Sequence, residues 1–415
     1  MPLARRLNIF DVTMIVMGGI IGSGIFMNPY VVARQAPRAW MILAAWLFGG
    51  AVAMAGAFVY AELAERNTSV GGQYAYLRDG WHPSVAFLYG WSLLLVIQTG
   101  GMAAVAVTFA SYLRESTGLA WSTAAIAAAT LALLGAVNIA GVRAGSAIQN
   151  VLMILKIVAI LALIVAGFTG PAHVGTAPPP PVDLLSSAGA LTPVLFAYGG
   201  WQTASFLSGE MKNPRRDLPR GVLLGVSGVV VLYLAVNWVC IRTLGATELG
   251  QTPTPATAVM TAAFGPAGGR FVGIGIAVST LGFLSQGMLT APRIYYAMAN
   301  DGLFFRGIGG IWRRTQAPAA AIGLQTLAAA VIALSGRYDQ ILSYVVSVDF
   351  IFFGLTGAVL LRGRAAHRPV LTLFFTAACW ITVLATIAKE PATSLIGLAI
   401  LAAGVPVYLL WTRKT

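Results

Sequence analysis

Apolar residues along this chain form long runs, and short polar stretches separate one run from the next. A helix of about 20 residues crosses the hydrocarbon core of a bilayer, and we count twelve runs of roughly that length. Their approximate limits are 11–33, 39–64, 84–113, 121–141, 146–169, 188–210, 220–243, 270–298, 317–335, 340–361, 369–388 and 391–412. Outer-membrane barrels alternate apolar and polar residues at every second position, and these runs do not. The pattern therefore predicts an all-α integral membrane protein with about 12 transmembrane helices, numbered here as spans 1 to 12.

The composition agrees with this interpretation. The 415 residues are 58% hydrophobic and 9% charged, with a mean hydropathy of +0.81, whereas about a quarter of the residues in a soluble domain are charged. The net charge of +13 does not indicate nucleic-acid binding, because no basic cluster joins a recognisable binding fold. Cys240 and Cys379 both lie in apolar runs, and the three histidines lack metal-ligand spacing. No disulfide framework, metal or cofactor is predicted.

Basic residues are distributed unevenly between the loops on the two sides. If the N-terminus is cytoplasmic, that side holds 18 of the 26 Lys and Arg residues, the other side holds seven, and Lys156 falls inside span 5. Cytoplasmic loops of membrane proteins carry the excess of basic residues. We therefore predict that both termini are cytoplasmic.

Three segments between spans carry their own patterns. Residues 65–83 are too polar to span and are predicted to be a re-entrant or surface element. Prolines at 178–181 predict a stiff extended connector. Residues 256–264 are mildly amphipathic and predict a short helix over the outer mouth.

Span 1 contains a stretch that is poorly suited to a continuous helix. Four glycines and a proline occur within residues 18–29, and a glycine inside a helix costs about 1 kcal/mol relative to alanine. Unpaired backbone groups inside a membrane occur only where they face protein or a wet cavity. We predict that the helix breaks here and that its free N–H and C=O groups hold a polar ligand. A close helix–helix contact through small residues is the alternative.

Span 6 repeats this pattern. Gly199 and Gly200 form a pair in the middle of the run, beside the polar residues Tyr198 and Gln202. Gly22 and Gly199 lie five spans apart, and an odd number of spans means that the two broken helices run in opposite directions. This arrangement is typical of inverted repeats with a binding site between two broken helices.

Three motifs occur in the order in which a known family has them. The first-helix signature of the amino acid–polyamine–organocation (APC) superfamily resembles Gly22-Ser23-Gly24-Ile25-Phe26. Its sixth helix and following loop are similar to residues 196–201 (FAYGGW) and 210–220 (EMKNPRRDLPR), and the end of its eighth helix resembles residues 293–303 (RIYYAMANDGL). The resemblance covers about residues 8–360. It is greatest to the L-type amino acid transporter (LAT) family, in a bacterial single-chain form.

The resemblance implies a fold and an activity. The fold would be of the leucine-transporter type, with a five-plus-five inverted-repeat transport core in residues 1–361. Repeat one would cover about 8–169 and repeat two about 188–361, and residues 362–415 would form two peripheral helices and a short tail. The activity would be sodium-independent transport, by exchange, of small to medium neutral L-amino acids by alternating access. The location would be a bacterial inner membrane.

The family also implies roles for matching residues, in which the backbone of the two broken helices holds a zwitterion. Amides after the break in span 1 would bind the carboxylate, because a helix N-terminus carries partial positive charge. Carbonyls before that break and in span 6 would bind the ammonium. Phe196 would be the gate over the substrate, with plain packing as the alternative. The substrate-binding positions are Ile20, Ile21, Gly22, Ser23, Gly24, Phe196, Ala197 and Gly199.

Lys156 stands apart because a lysine at a helix centre costs about 2.5–3.5 kcal/mol on insertion scales. By the resemblance, its ammonium replaces the sodium ion of sodium-coupled relatives. Its partners would be a carbonyl near Gly18 and the hydroxyl of Ser279 or Thr280. Snorkelling to the surface is the alternative.

Acidic residues are rare in the spans. Asp349 lies inside span 10, and an intramembrane acid is a candidate functional group. The family gives it no role, and a hydrogen bond to a neighbouring Ser or Thr is the alternative. Glu62 and Glu210 fall at span ends, where we expect them to pair with Arg residues.

Two functions other than amino acid transport are disfavoured. A membrane enzyme would need a catalytic cluster, which the spans lack, and a sensor would need an appended signalling domain. A cationic amino acid or polyamine substrate remains the alternative within transport, with Asp349 as its only candidate partner. Animal relatives that bind a heavy chain use a cysteine between spans 3 and 4. Residues 113–118 contain none, so no disulfide-linked partner is predicted.

Overall fold

The structure, a computed structural model, describes residues 5–117, 119–173, 189–335, 338–362, 366–389 and 391–412. Within those ranges the chain is helical, and its one β-type contact is an isolated bridge between Leu7 and Met211. The predicted connector at 178–181 lies outside the described residues. The prediction of an all-α membrane protein is confirmed.

Each predicted apolar run corresponds to a helix or to a helix in two parts. The bounds are Ile9–Ile20 and Gly24–Gln35 (span 1), Ala39–Arg66 (span 2), Pro83–Ser92 and Gln98–Thr117 (span 3), Thr123–Ile139 (span 4), Val142–Thr169 (span 5), Leu191–Ala197 (span 6), Pro214–Leu244 (span 7), Pro255–Thr290 and Pro292–Asn300 (span 8), Ala319–Ser335 (span 9), Tyr338–Arg362 (span 10), Pro369–Lys389 (span 11) and Pro391–Thr412 (span 12). A π-helix, Leu93–Ile97, joins the two parts of span 3, and a 3-10 helix, Trp201–Glu210, forms the second part of span 6.

Length and composition support the membrane assignment within the described residues. Seven helices are long and apolar enough to cross a bilayer, or eight if the two helices of span 1 count as one. Spans 4 and 9 are shorter apolar helices. Spans 6 and 10 complete the twelve.

Local sequence explains where several helices begin. Asn8 caps the first helix by accepting hydrogen bonds from the amides of Phe10 (2.8 Å) and Asp11 (3.2 Å), and Asp11 accepts one from the Asn8 amide in return. This reciprocal arrangement satisfies amides that have no partner inside the helix. Several other helices begin with proline, which has no amide hydrogen to leave unpaired at that position. They start at Pro83, Pro214, Pro255 and Pro292.

Two segments outside the predicted runs are helical. Residues 73–80, in the polar stretch after span 2, form the helix Gln73–Gly80, whose first five residues are buried. The short helix predicted at 256–264 is continuous with span 8 in the helix Pro255–Thr290, and the chain kinks at Gly265 (φ 65°). The positive φ explains the kink, because glycine adopts this conformation without a steric penalty.

The packing places span 1 in the interior of the bundle. Helix Ile9–Ile20 packs against spans 5, 7 and 8 and against the 3-10 helix of span 6. Spans 11 and 12 both pack on span 10; span 11 also contacts span 2, and span 12 also contacts helix Pro83–Ser92. The division into two repeats and a peripheral pair stays a prediction.

Candidate functional site

The break in span 1 lies between Ile20 and Gly24. Ile21 is extended (φ −77°, ψ 97°), and the two helices are bent by 43° relative to each other. Ser23, at the start of the second helix, makes no side-chain capping bond. Among the described hydrogen bonds, the amides of Gly22, Ser23 and Gly24 have no protein acceptor. The break therefore presents a group of free N–H donors.

Span 6 breaks at Tyr198–Gly200. The α-helix Leu191–Ala197 ends there, and the 3-10 helix Trp201–Glu210 begins after Gly200, which has φ 103°. An L-residue with a side chain rarely adopts that φ. A Cβ on Gly200 would lie 2.2 Å from the carbonyl oxygen of Gly19. Glycine is therefore required at 200 by conformation and by contact, and the two breaks touch through their backbones.

A cavity of about 130 Å³ lies where the two breaks meet. Seven of the eight predicted substrate-binding residues line it. The exception is Ile21, which is fully buried with its carbonyl turned to another partner. The lining residues are Gly19, Ile20, Gly22, Ser23, Gly24, Ile97, Gln98, Gly101, Val105, Phe196, Ala197, Gly199, Gly200, Gln202, Thr203, Phe283, Gln286, Asp349 and Phe350.

Lys156 is fully buried beside the break in span 1. Its ammonium donates to the carbonyl of Ile21, and to that of Gly18 at 3.4 Å. A Cβ on Gly282 would lie 2.5 Å from Lys156 Cε, so the side chain fills the space left by that glycine. Lys156 thus fixes carbonyls at the end of helix Ile9–Ile20 and packs against span 8.

The hydroxyls expected beside Lys156 have different partners. Ser279 donates to the carbonyl of Gly22 at 3.0 Å, and Thr280 donates to Ala277 within its own helix at 2.8 Å. Span 8 therefore contacts the break at two adjacent points, because Ser279 holds one carbonyl while Gly282 accommodates the lysine. Both contacts limit the movement of the broken segment relative to span 8.

Tyr233 of span 7 links the two breaks. Its hydroxyl is placed to donate to the carbonyls of Ile20 (3.1 Å) and Ala197 (3.3 Å). Asn28 makes a second link by donating to the carbonyl of Pro193 at 2.9 Å. Tyr233 could not be identified from the sequence, because the position of a tyrosine in an apolar run does not indicate which groups it contacts.

Phe196 lies on the cavity wall and is 39% exposed. The neighbouring Tyr198 is buried against Trp46 and Tyr233, with ring centroids 5.8 and 5.1 Å away. Phe196 is therefore an accessible aromatic side chain on the cavity wall, whereas the adjacent Tyr198 is held in the core.

Polar side chains enter the cavity from three further spans. Gln98 comes from span 3, directly after the π-helix, and Gln286 comes from span 8 and bonds Thr203. Asp349 comes from span 10, and its Oδ1 is buried without a hydrogen-bond partner. Among the described side chains no Ser or Thr hydrogen bond to Asp349 Oδ1 is formed, and a bond to a neighbouring Ser or Thr stays the alternative. π-Helices are frequent at functional sites, but no pattern of residues in span 3 predicts this one.

Contacts close one end of the bundle, called the N-terminal face, which carries Leu7, Met211 and Arg293. Arg293 and Glu210 are both fully buried and form an ion pair with an Nε–Oε1 distance of 2.6 Å. The amide of Leu7 donates to Glu210 O at 3.0 Å, and that of Lys212 donates to Leu7 O at 2.8 Å. The pairing expected for Glu210 is confirmed, as is that of Glu62, which pairs with Arg66.

Arg78 joins helix Gln73–Gly80 to the end of span 8. Its Nε donates to Asp79 Oδ1 at 2.7 Å, and its Nη1 bonds Asp301. Tyr74 donates to the same Asp301 carboxylate at 2.9 Å. The hydrogen bond with Asp79 raises the pKa of Arg78 above its ordinary value, so this cation stays charged. Together with the buried pair, it ties three segments together at the N-terminal face.

Comparisons with known proteins agree with the geometry. Residues 7–408 match the family described as Amino acid permease. The chain is similar to the serine/threonine exchanger SteT of Bacillus subtilis (strain 168), with 29% identity over 98% of this chain and 96% of that protein. It is also similar to the human b(0,+)-type amino acid transporter 1, with 28% identity over 89% of this chain and 78% of that one. The rat large neutral amino acids transporter small subunit 2 is 27% identical over 99% of this chain and 82% of that one.

Proposed function

This chain belongs to the amino acid permease family, and from that premise we propose that it carries small to medium neutral L-amino acids across the membrane without sodium. The family and the relatives establish a multi-pass membrane protein that transports amino acids and is not an enzyme. The substrate set, the exchange mode and the residue roles are the proposal. It places the protein in a bacterial inner membrane with both termini in the cytoplasm.

One observation carries the proposal: the cavity lies where the two helix breaks meet. A cavity of about 130 Å³ is close in size to an engineered cavity of about 150 Å³ that takes benzene, a molecule of roughly six heavy atoms. Alanine and serine are of that size. The volume therefore favours small substrates over long or aromatic ones in the conformation described.

The free amides and the carbonyls at the breaks match a zwitterion. The substrate carboxylate would accept hydrogen bonds from the amides of Gly22, Ser23 and Gly24, which have no protein acceptor. The helix that begins there adds partial positive charge. The carbonyls of Ile20 and Ala197 share the single hydroxyl hydrogen of Tyr233, and each carbonyl has a lone pair left for the substrate ammonium. No ionised side chain is required.

Lys156 gives a reason for sodium independence. Its ammonium already occupies carbonyls of Gly18 and Ile21, groups that a bound cation would otherwise coordinate. We propose that this fixed charge holds the end of helix Ile9–Ile20 against span 8 in place of a sodium ion.

Alternating access requires that the cavity open to one side at a time. The N-terminal face holds the buried Arg293–Glu210 pair and the backbone bonds of Leu7. We propose that these contacts close the path from the cavity and separate when it opens there. On the cavity wall, Phe196 would cover the substrate. We propose it as the gate.

A cationic substrate is the second candidate, and one observation favours it. Asp349 lines the cavity and makes no ion pair within the described ranges, so it could receive a positive charge. The cavity volume limits such a substrate to a short side chain, which disfavours polyamines.

We also propose that the protein acts as a single chain. Residues 113–118, between spans 3 and 4, contain no cysteine, and Cys240 and Cys379 are buried. Although one relative is named a small subunit, a disulfide-linked heavy chain has no attachment point in that loop.

Uptake into proteoliposomes tests the proposed function. A panel of labelled amino acids would be offered with sodium or choline outside, and with or without internal substrate. We expect uptake of small neutral L-amino acids, stimulated by internal substrate and equal in the two salts. Uptake that requires sodium, or a strong preference for lysine or putrescine over alanine, would contradict the proposal.

A further inference from the structure

Asp349 is an acid inside the membrane that the proposed zwitterion site does not use. It lies on the cavity wall next to Phe350 and is partly accessible. Its Oδ1 is buried and has no hydrogen-bond partner. The salt bridges found among the described residues do not include it.

Among the described residues, no protein group bonds Asp349 Oδ1. Its electrostatic neighbours are Tyr60 of span 2, Tyr89 of span 3 and Cys379 of span 11. Tyr89 donates its hydroxyl hydrogen to Gln73 at 3.0 Å instead. A buried polar group without a partner is costly. Asp349 also lines the cavity, so its carboxyl group is a candidate partner for a bound ligand.

Other polar groups of the cavity are already engaged. Gln202 accepts a hydrogen bond from the Gly200 amide at 3.0 Å, and Gln286 bonds Thr203. Gln98 lines the cavity too, and no hydrogen bond of its side chain is formed within the described ranges. Asp349, Gln98 and Ser23 are thus the polar side chains of the cavity wall that make no described hydrogen bond, and Ser23 lies at the amides proposed to bind the carboxylate.

We propose that Asp349 recognises the substrate side chain and selects small amino acids that carry a hydrogen-bond donor, namely serine and threonine, over alanine. The inference rests on the proposed function. A zwitterion held at the breaks fills the small cavity, so a hydroxyl on its side chain reaches the wall. A carboxyl group accepts a hydrogen bond whether or not it is protonated, whereas the methyl group of alanine leaves it unsatisfied. Sites built to bond a hydroxyl discriminate against the analogue that lacks it.

Competition in proteoliposomes tests this selection. Unlabelled serine and alanine would be compared as inhibitors of labelled alanine uptake, and the ratio of their half-inhibitory concentrations is the readout. In the wild type we expect serine to inhibit at a concentration about tenfold lower than alanine. Asp349→Ala should bring the ratio close to one, and Asp349→Asn, which keeps a neutral acceptor, should give an intermediate ratio.

A matched control separates recognition from general disturbance of the bundle. Thr382→Val removes a buried hydroxyl in span 11 that bonds Ala378 within its own helix at 2.8 Å and does not line the cavity. The ratio should not change in this variant. Gln98→Leu should also keep the preference for serine; loss of the preference in Gln98→Leu but not in Asp349→Ala would assign recognition to Gln98 and overturn the proposal.

The remaining outcomes are decisive as well. If Asp349→Ala is not recovered as folded protein, Asp349→Asn carries the test, and a ratio equal to that of the wild type overturns the proposal. Equal inhibition by serine and alanine in the wild type overturns it too, while the transport function stands. A wild-type protein that takes up no amino acid refutes the proposed function instead.

Discussion

The backbones of Gly19 and Gly200 are in direct contact across the two helix breaks. A Cβ on Gly19 would lie 2.6 Å from the Gly200 carbonyl oxygen, and a Cβ on Gly200 would lie 2.2 Å from that of Gly19. Real side chains do not approach a carbonyl so closely. The two broken helices therefore meet backbone to backbone at this point, and the cavity lies beside the contact.

Gly200→Ala should separate the breaks. The left-handed conformation at φ 103° costs about 1–2 kcal/mol for a residue with a side chain, and the clash with Gly19 adds to that cost. We expect uptake per folded molecule to fall about tenfold or more, measured with labelled alanine in proteoliposomes.

Gly273→Ala is the matched control for that variant. A Cβ at this position of span 8 meets no atom within 4 Å, and alanine favours a helix over glycine. Uptake should stay at the wild-type level. If Gly200→Ala transported as well as Gly273→Ala, the contact between the breaks would have no role in the cycle.

Lys156→Ala should reduce transport by loosening the first broken helix. The change removes the donor from the carbonyls of Gly18 and Ile21 and leaves buried acceptors unpaired, a cost of about 1–3 kcal/mol each. We expect about a tenfold loss or more in kcat/KM for alanine uptake, with wild-type uptake equal in sodium and in choline.

An exposed lysine supplies the control. Lys212→Ala removes a lysine at the N-terminal face and should leave uptake close to that of the wild type. Normal transport by Lys156→Ala, or sodium-dependent uptake by the wild type, would show that Lys156 does not replace a cation.

Glu210→Gln should destabilise the protein. Arg293 is fully buried, and removing one partner of a buried ion pair typically costs about 3–5 kcal/mol because the other charge stays unpaired. We expect a clear fall in the thermal midpoint of the detergent-purified protein. The midpoint is measured as the temperature at which half of the monodisperse peak is lost in size-exclusion chromatography after heating.

Two comparisons make this prediction specific to the pair. The double variant Glu210→Leu/Arg293→Met should recover part of the loss, since it removes both charges. Arg216→Gln changes an arginine that is 60% exposed and therefore solvated, and its buried partner Asp217 keeps the hydrogen bond from the Asn213 amide, so the loss should be about 1 kcal/mol or less. A midpoint for Glu210→Gln no lower than that for Arg216→Gln would refute the prediction.

The predicted orientation is open to cysteine labelling. Cys240 and Cys379 are buried, so the wild-type chain should react poorly with a membrane-impermeant maleimide. In intact cells Leu119→Cys, at an exposed position between spans 3 and 4, should react. Arg313→Cys, between spans 8 and 9, should react only after the membrane is opened. The reverse pattern would invert the topology.

The number of spans and the existence of two breaks could be predicted from the amino-acid pattern alone. The thickness of the bilayer sets the length of an apolar run. The glycine pairs in spans 1 and 6 lower helix stability whatever the helices pack against. The resemblance of the two breaks to the APC superfamily also located seven of the nineteen residues that line the cavity. Lys156 was identifiable because a charge in an apolar run is conspicuous.

Which side chains line the cavity, and which glycine is indispensable, became clear only once the helices were packed together. Gly199 was the predicted substrate-binding glycine of span 6, whereas Gly200 has the left-handed conformation and the contact with Gly19. The roles of Tyr233 and Gln98 follow only from how the helices pack. The same is true of Lys156, which packs against Gly282 and not against the predicted Ser279. The physical reason is that lipid tails are as apolar as buried leucine side chains. A membrane helix is therefore hydrophobic on its inner and outer faces alike, and its sequence does not record which residues meet the ligand.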